Sequence, residues 1–511
     1  MIHTLINAVR GFLSGDGALI LPEMELVLFG CGILLIDRWL AANEKHWNAL
    51  LALAGTAFSV FTLYVQHGKM QALRAANPES PGLLGFRQSV LVDPFFLFFA
   101  ALFLAATALI VLLSVRYLEI AGKTRGAFHA LLLFTCAGAI LMVSGVDLLV
   151  VFLGLQITSL SYFLLIRFAR SGQSDAGPSR SYAFLWACSS FALAGGFLML
   201  YRLYATTNLG RIGAILETRL DSGVAFGGLM AWPAPLALAL LVVGVFFLAD
   251  TAPLHWFAAG SHDSAAPPVA AYLSIAAKTA GFALLLRFFS FLFIFAHEKW
   301  IHVWGAAAIV SLLWGNIAAM RQTNVKRLLA YGSVAQTGFI LLGLVAGNEA
   351  GLSGMMYYLG VHVFMTAGAF GILIVLQQRG AGVTQLADLN GLFRHNPAAA
   401  LLLLVFMMSL AGIPPTAGFV AKYKIVKALI TSHPELAAFA VANALLAVYY
   451  YGRVAAHAWK KPSSDAPPLD GAALTISSGQ TVALTVAVFV SLAAGLYPEP
   501  FLRLARYAFG P

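Results

Sequence analysis

Apolar runs alternate with short polar or basic stretches along the whole chain. A helix needs about 20 apolar residues to cross roughly 30 Å of hydrocarbon. Many runs here reach that length, so the pattern predicts an all-α, polytopic membrane protein with about 14 transmembrane helices. Their approximate bounds are 20–41, 47–66, 93–115, 127–145, 147–168, 181–204, 233–257, 268–296, 302–320, 326–346, 353–377, 398–430, 436–459 and 479–503, numbered below as spans 1 to 14. Prolines break two of them: Pro253 in span 7, and Pro414 and Pro415 in span 12. Proline removes a backbone donor and interrupts the helical ladder. The polar stretches 67–91 and 460–478 read as loops.

A weak internal repeat follows the same pattern. SYAFLWACSSFALAGGFLML (181–200) resembles MYYLGVHVFMTAGAFGILIV (356–375), and each precedes a proline-broken span. Paired interrupted segments indicate a repeat-built transporter with its path at the breaks. Five helices per unit gives spans 4–8 and 9–13, and an odd number inverts the second copy. The expected divisions are N-terminal helices 1–3 in residues 1–120, a first five-helix repeat in 121–297, a second inverted repeat in 298–460, and a loop with helix 14 in 461–511.

Composition agrees with the pattern. The 511 residues are 60% hydrophobic and 10% charged, with a mean hydropathy of +0.85. This leaves no room for a sizeable soluble domain. The net charge of +10 does not indicate nucleic acid. The basic residues lie in short loops, and those after odd-numbered spans outnumber those after even-numbered ones. The positive-inside bias therefore puts the odd loops in the cytoplasm and both termini on the periplasmic side. The N-terminal region lacks a cleavable-signal pattern, so the first long apolar segment reads as a retained helix. Cys31, Cys136 and Cys188 have no metal spacing and read as small core residues.

Against this apolar background a few ionisable residues stand out. Lys278 lies inside LSIAAKTAGF, Lys422 follows the double proline, and His255 follows Pro253. Charge in hydrocarbon is expensive, so an intramembrane lysine is by default a functional residue. Broken helices at membrane depth are tolerated only beside protein or a cavity. Histidine changes charge near neutral pH, which suits His255 and His362 to a proton path. Asp250 stands just before the break, where it could pair with Lys278 or cap a second half-helix. There is no cysteine cluster for iron–sulfur, no dinucleotide fingerprint after a strand and no P-loop. Any redox chemistry is assigned to partners.

Several segments resemble the antiporter-like membrane subunits of respiratory complex I, most closely its subunit-N branch. They are LPEMELVLFGCGILLID (21–37), LVDPFFLFF (91–99), SGVDLLVVFLGLQITSLSYFLL (144–165), APLHWFAAGSHDSAAPPVAAYLSIAAKTAGFALLLR (252–287), GNIAAMRQTNVKRLLAYGSVAQTGF (315–339) and SLAGIPPTAGFVAKYK (409–424). The last two are the most specific, and the resemblance covers most of the chain. It implies a proton-translocating module of an NADH:quinone oxidoreductase in a bacterial inner membrane. The chain would then be a subunit of a translocase, with no cofactor of its own. Partner membrane-arm subunits would surround it, and NADH, FMN, iron–sulfur clusters and quinone would sit in partner subunits.

The resemblance also implies a charged axis at mid-membrane, and here the chain departs from it. The helix-5 glutamate position is Gln156, the helix-6 lysine position Ser181 and the helix-7 lysine position Leu248. The helix-8 and helix-12 lysines are kept as Lys278 and Lys422, while the helix-10 histidine position is Gln336. A Glu–Lys pair works because each charge holds the other ionised. Glutamine and leucine do not titrate, so the usual route through spans 5–7 is expected to pump weakly or not at all, with Gln156 a wire element at most. The competing readings are an antiporter-like subunit of a membrane-bound hydrogenase or of a multisubunit cation/proton antiporter, a non-conducting structural paralogue, and a stand-alone secondary transporter.

Overall fold

The computed structural model describes residues 15–41, 44–122, 126–168, 177–221, 233–255, 265–294, 297–377, 384–461 and 476–509. Every predicted span coincides with a helix or a pair of helices. Eleven helices are long and apolar enough to cross a membrane. Pro233–Leu248 and Pro397–Ala411 are shorter apolar helices, and both belong to the spans broken by proline. Three helical segments form the buried centre: 267–293, Val325–Val345 and Glu349–Gln377. Around them, large apolar side chains such as Leu28, Phe61, Phe191, Leu445 and Phe489 face outward, as a protein surrounded by acyl chains requires.

Several boundaries differ from the sequence reading. The stretch 67–91 is not all loop. Helix Trp47–Ala76 runs on through its polar end, and a three-residue hairpin pairs Leu83–Gly85 with Val90–Val92. The protein is thus all-α apart from this ribbon. Span 7 stops as a helix at Leu248, and span 14 stops at Leu496. An amphipathic helix, Glu499–Phe509, follows and buries Leu502, Ala505 and Ala508. A second amphipathic helix, Leu209–Asp221, also went unpredicted. Most of the polar stretch 460–478 lies outside the described residues. Of the three cysteines only Cys136 is buried; Cys31 is exposed and Cys188 half-buried.

Two backbone pairings recur in the two halves of the chain. Leu148 N–H donates to Thr207 carbonyl and Leu209 N–H to Val146 carbonyl. Val325 N–H donates to Thr384 carbonyl and Leu386 N–H to Thr323 carbonyl, at identical spacing along the chain. Each pairing ties the start of one helix to the loop after the next. Asp147 and Asn324 hold equivalent positions, accepting from Leu149 N–H at 2.9 Å and from Arg327 N–H at 3.1 Å.

One buried ion pair locks the outer helices to the centre. Arg287, only 2% exposed, donates to both oxygens of Asp93, at 2.6 and 3.2 Å. The same guanidinium donates twice to Val143 carbonyl, near the C-terminal end of helix Gly126–Ser144, and stacks over the Phe95 ring. Asp93 in turn caps helix Pro94–Ile120 through Phe96 N–H at 2.7 Å. One guanidinium therefore satisfies an orphan carbonyl of one helix and the cap of another. Removing one partner of a buried pair costs about 3–5 kcal/mol. Arg287→Ala is expected to lower the melting temperature of the detergent-solubilised protein sharply. Arg287→Lys should restore little of it, because a lysine cannot make the forked contact. An unchanged melting temperature would contradict this role.

Candidate buried proton path

Span 8 carries its lysine at an irregularity. Residues 273–277 form a π-helical turn between helices Pro267–Tyr272 and Lys278–Phe288. Such turns shift the register by one residue and often mark functional positions. Lys278 follows it directly and is fully buried. Its ammonium donates to the backbone carbonyl and the hydroxyl of Ser333, on helix Val325–Val345.

Span 12 shows how a break is used. Helix Pro397–Ala411 ends at Gly412, which adopts φ 83°, and helix Ala417–Ile430 resumes beyond Thr416. The last carbonyls of the first half-helix have no helical partner. Lys422, on the second half, folds back and donates to Ala411 carbonyl at 2.8 Å and Leu410 carbonyl at 3.1 Å. Its ammonium also lies 4.7 Å above the Phe339 ring. The positive charge thus sits at the negative end of a helix dipole, where cations are favoured. Gly412 is needed twice over, for its left-handed backbone and because a Cβ there would stand 2.7 Å from the Lys422 Cδ.

Between the two lysines lie Ser333, which the sequence reading did not single out, and Gln336, which it named only as a position where the resemblance places a histidine. Gln336 lies one turn beyond Ser333 on the same helix. It donates to Leu410 carbonyl at 2.8 Å, the same oxygen that Lys422 uses, and accepts from Tyr358 hydroxyl. Tyr451 hydroxyl lies 3.5 Å from its amide nitrogen, with the Tyr450 ring packed against that of Tyr451 at a tilt. Lys278 on Ser333, and Lys422 beside Gln336 on the shared Leu410 carbonyl, are thus two buried polar clusters whose partners Ser333 and Gln336 stand one turn apart on one helix. The spacing of Ser333, Gln336 and Thr337 on one helical face was the available signal.

The remaining expected residues lie outside these two clusters. His362 is buried and accepts or donates at 3.3 Å with Thr366, with Lys278 within electrostatic reach. Its other ring nitrogen has no hydrogen-bond partner among the described residues. His255 is buried against the Trp314 ring, and neither of its ring nitrogens has such a partner. Residues 256–264, just beyond it, lie outside the described residues. Gln156 stands apart from the polar chain. Its carboxamide is used up between Trp186 Nε1 at 2.9 Å and Ser190 hydroxyl at 3.0 Å, which ties span 5 to span 6. Ser181 lies in helix Gly177–Tyr204. Leu248 and Asp250 line a small cavity with Ser159, Tyr182, Trp186 and Ser189.

These features define a polytopic helical membrane protein with two broken spans around a buried, lysine-ended polar chain. Residues 144–447 match the family model described as NADH:quinone oxidoreductase/Mrp antiporter, TM. The chain is 37% identical to NADH-quinone oxidoreductase subunit N 2 of Solibacter usitatus, over 96% of this chain and 97% of that one. It is 38% identical to subunit N 1 of Koribacter versatilis, over 96% and 95%. Among solved structures it superposes on a chain of respiratory complex I from Thermus thermophilus with a TM-score of 0.73 at 25% identity, covering 95% of this chain and all of that one. It shares its fold with a chain of the Mrp complex from Dietzia, with a TM-score of 0.76 at 22% identity. The chain belongs to the NADH:quinone oxidoreductase/Mrp antiporter transmembrane family.

Gly412→Ala tests the break directly. The left-handed backbone alone disfavours alanine by about 1–2 kcal/mol, and the added methyl displaces the Lys422 side chain. The variant is expected to melt lower and to move fewer protons in reconstituted vesicles. Wild-type values for both would contradict the proposed geometry.

Proposed function

We propose that the protein is subunit N of a bacterial NADH:quinone oxidoreductase. It would couple electron transfer from NADH to quinone, performed in partner subunits, to proton movement along its own buried chain. The observation that carries this reading is the burial of Lys278 and Lys422 at the two irregular spans, with their partners Ser333 and Gln336 one turn apart on helix Val325–Val345. Each ammonium rests on carbonyl and hydroxyl acceptors supplied by helix breaks and turns, and an amine so placed can take up or release a proton without dismantling the fold. Gln336 and Ser333 supply the links, and His362 and His255 are candidate relays at either side. Gln156 is a helix tie on this reading, and a wire element only through Ser190.

The same reading assigns fourteen crossings, with residues 121–297 and 298–460 as two inverted five-helix repeats. The matched backbone pairings at Leu148 and Val325 support it. NADH, FMN, iron–sulfur clusters and quinone belong to partner subunits, with no cofactor in this chain. Its partners are other membrane-arm subunits and the lipid bilayer of an inner membrane, with both termini on the periplasmic side. Nucleic acid has no part. The names of the relatives give no preference to a hydrogenase or cation-antiporter role. A non-conducting structural role is the second reading, favoured by Gln156, Ser181 and Leu248 at positions the resemblance would charge.

Two measurements test this. An affinity-tagged chain, drawn from native membranes in mild detergent, is expected to bring flavin and iron–sulfur subunits and NADH:quinone activity with it. Recovery with hydrogenase or antiporter subunits, or alone, would contradict the assignment. In vesicles containing the intact complex, Lys278→Ala is expected to lower the protons moved per NADH oxidised. An unchanged ratio would favour the structural role.

A further inference from the structure

The first half-helix of span 7 ends on an acid where a glycine is usual and a cation would be favoured. It ends as the first half-helix of span 12 does. Thr251 N–H returns to Phe246 carbonyl at 2.9 Å, as Ile413 N–H returns to Met408 carbonyl at 3.0 Å. This is the Schellman turn, which puts the residue just past the helix in the left-handed region and favours glycine there. Span 12 has Gly412 at that point, with φ 83°; span 7 has Asp250, with φ 53°. A carboxylate also meets the negative end of the helix dipole, where a cation would be favoured. Glycine is the usual residue at such a turn and aspartate one of the few others that tolerate it, so the backbone admits the acid, while its charge at the negative helix end is unfavourable and points to a function.

The surroundings indicate what the charge serves. The backbone at Ala249 lies directly on helix Lys278–Phe288, with its nitrogen 2.8 Å from where a Cβ on Gly281 would stand. Gly281 is one turn from Lys278. Thr337 hydroxyl donates to Ala249 carbonyl at 3.4 Å, one turn from the Ser333 that holds Lys278. Asp250 and Lys278 are therefore braced by the same two helices. Asp250 acts electrostatically on Lys278 from span 8, on His255 from its own loop and on Tyr182 from span 6. It lines a small cavity, large enough for a water molecule, into which Ser159, Tyr182 and Ser189 bring hydroxyls and Leu185, Trp186, Phe247, Leu248 and Leu273 an apolar wall.

We propose that Asp250 is a proton-binding site that replaces, with inverted sign, the charge missing at Leu248. It exchanges its proton with Lys278, which the same two helices hold beside the break. The inference rests on the proton-translocating reading above. The step balances: the Asp250 carboxylate takes up a proton as the Lys278 ammonium releases one, leaving a neutral acid and a neutral amine. The reverse step restores the two opposite charges. Neither state leaves a net charge in the interior, which is what hydrocarbon demands.

The test compares Asp250→Gly, Asp250→Asn and Asp250→Glu in the intact complex in vesicles, reading protons moved per NADH oxidised. Glycine and asparagine both suit a left-handed turn, so a purely conformational role predicts that they match or exceed the wild type. The proposal predicts a loss of proton translocation in both, and its retention in the glutamate variant. An undiminished ratio in the glycine or asparagine variant would overturn it. So would loss of assembly in those two variants, since the carboxylate would then be a structural counter-ion. A wild-type complex without NADH:quinone turnover would instead remove the functional reading on which the proposal stands.

Discussion

Every unusual feature of this protein follows from one constraint: an ammonium buried in an apolar bundle must be given acceptors by the fold. Lys422 takes the two carbonyls that a broken helix leaves unbonded. Lys278 takes a serine hydroxyl and carbonyl beside a π-helical turn. Regular helices have no spare acceptors at mid-membrane. The irregularities are therefore what allows the lysines to be buried. Gly412 follows from the same constraint, since the returning lysine stem occupies the space a side chain would fill.

Holding such a site still requires that the surrounding helices not slide. Arg287 does this by joining the end of one helix to the cap of another through Asp93. The matched backbone ties at Leu148 and Val325 do the same in each half of the chain. Within this frame the halves diverge at their breaks. The second half fills its break with an ammonium and a glycine. The first places a carboxylate there and puts the neighbouring lysine on span 8. The polar chain between them is asymmetric for that reason.

The apolar periodicity marked the eleven helices that are long and apolar enough to cross a membrane, because burial in hydrocarbon leaves a strong signature over about 20 residues. It misjudged polar helix ends such as 67–76, where a helix extends beyond the apolar segment, and amphipathic helices such as Leu209–Asp221 and Glu499–Phe509, whose apolar content is low. Lys278, Lys422, His255 and His362 were visible as ionisable residues in apolar runs, and all four are buried. Ser333 was not, because neutral polar residues in a membrane helix commonly serve packing, and Gln336 was visible only as a position where the resemblance places a histidine; their partners in the fold reveal their role. Gln156 shows the converse. It stood where the resemblance places a charge, yet its amide is spent on Trp186 and Ser190. The left-handed turn at Asp250 was beyond sequence reasoning, because nothing in the sequence says that a glycine-type position is held by an acid.

The central claim is that Lys278 and Lys422 are joined through Gln336. The most direct measurement is the number of protons moved per NADH oxidised by the intact complex in vesicles, with Gln336→Leu in place of the wild type. Leucine keeps the volume but removes the only side chain that reaches Leu410 carbonyl from the Ser333 side among the described residues. The account predicts a lower ratio in an assembled, quinone-reducing complex. A ratio equal to the wild type would mean that protons do not pass along this chain.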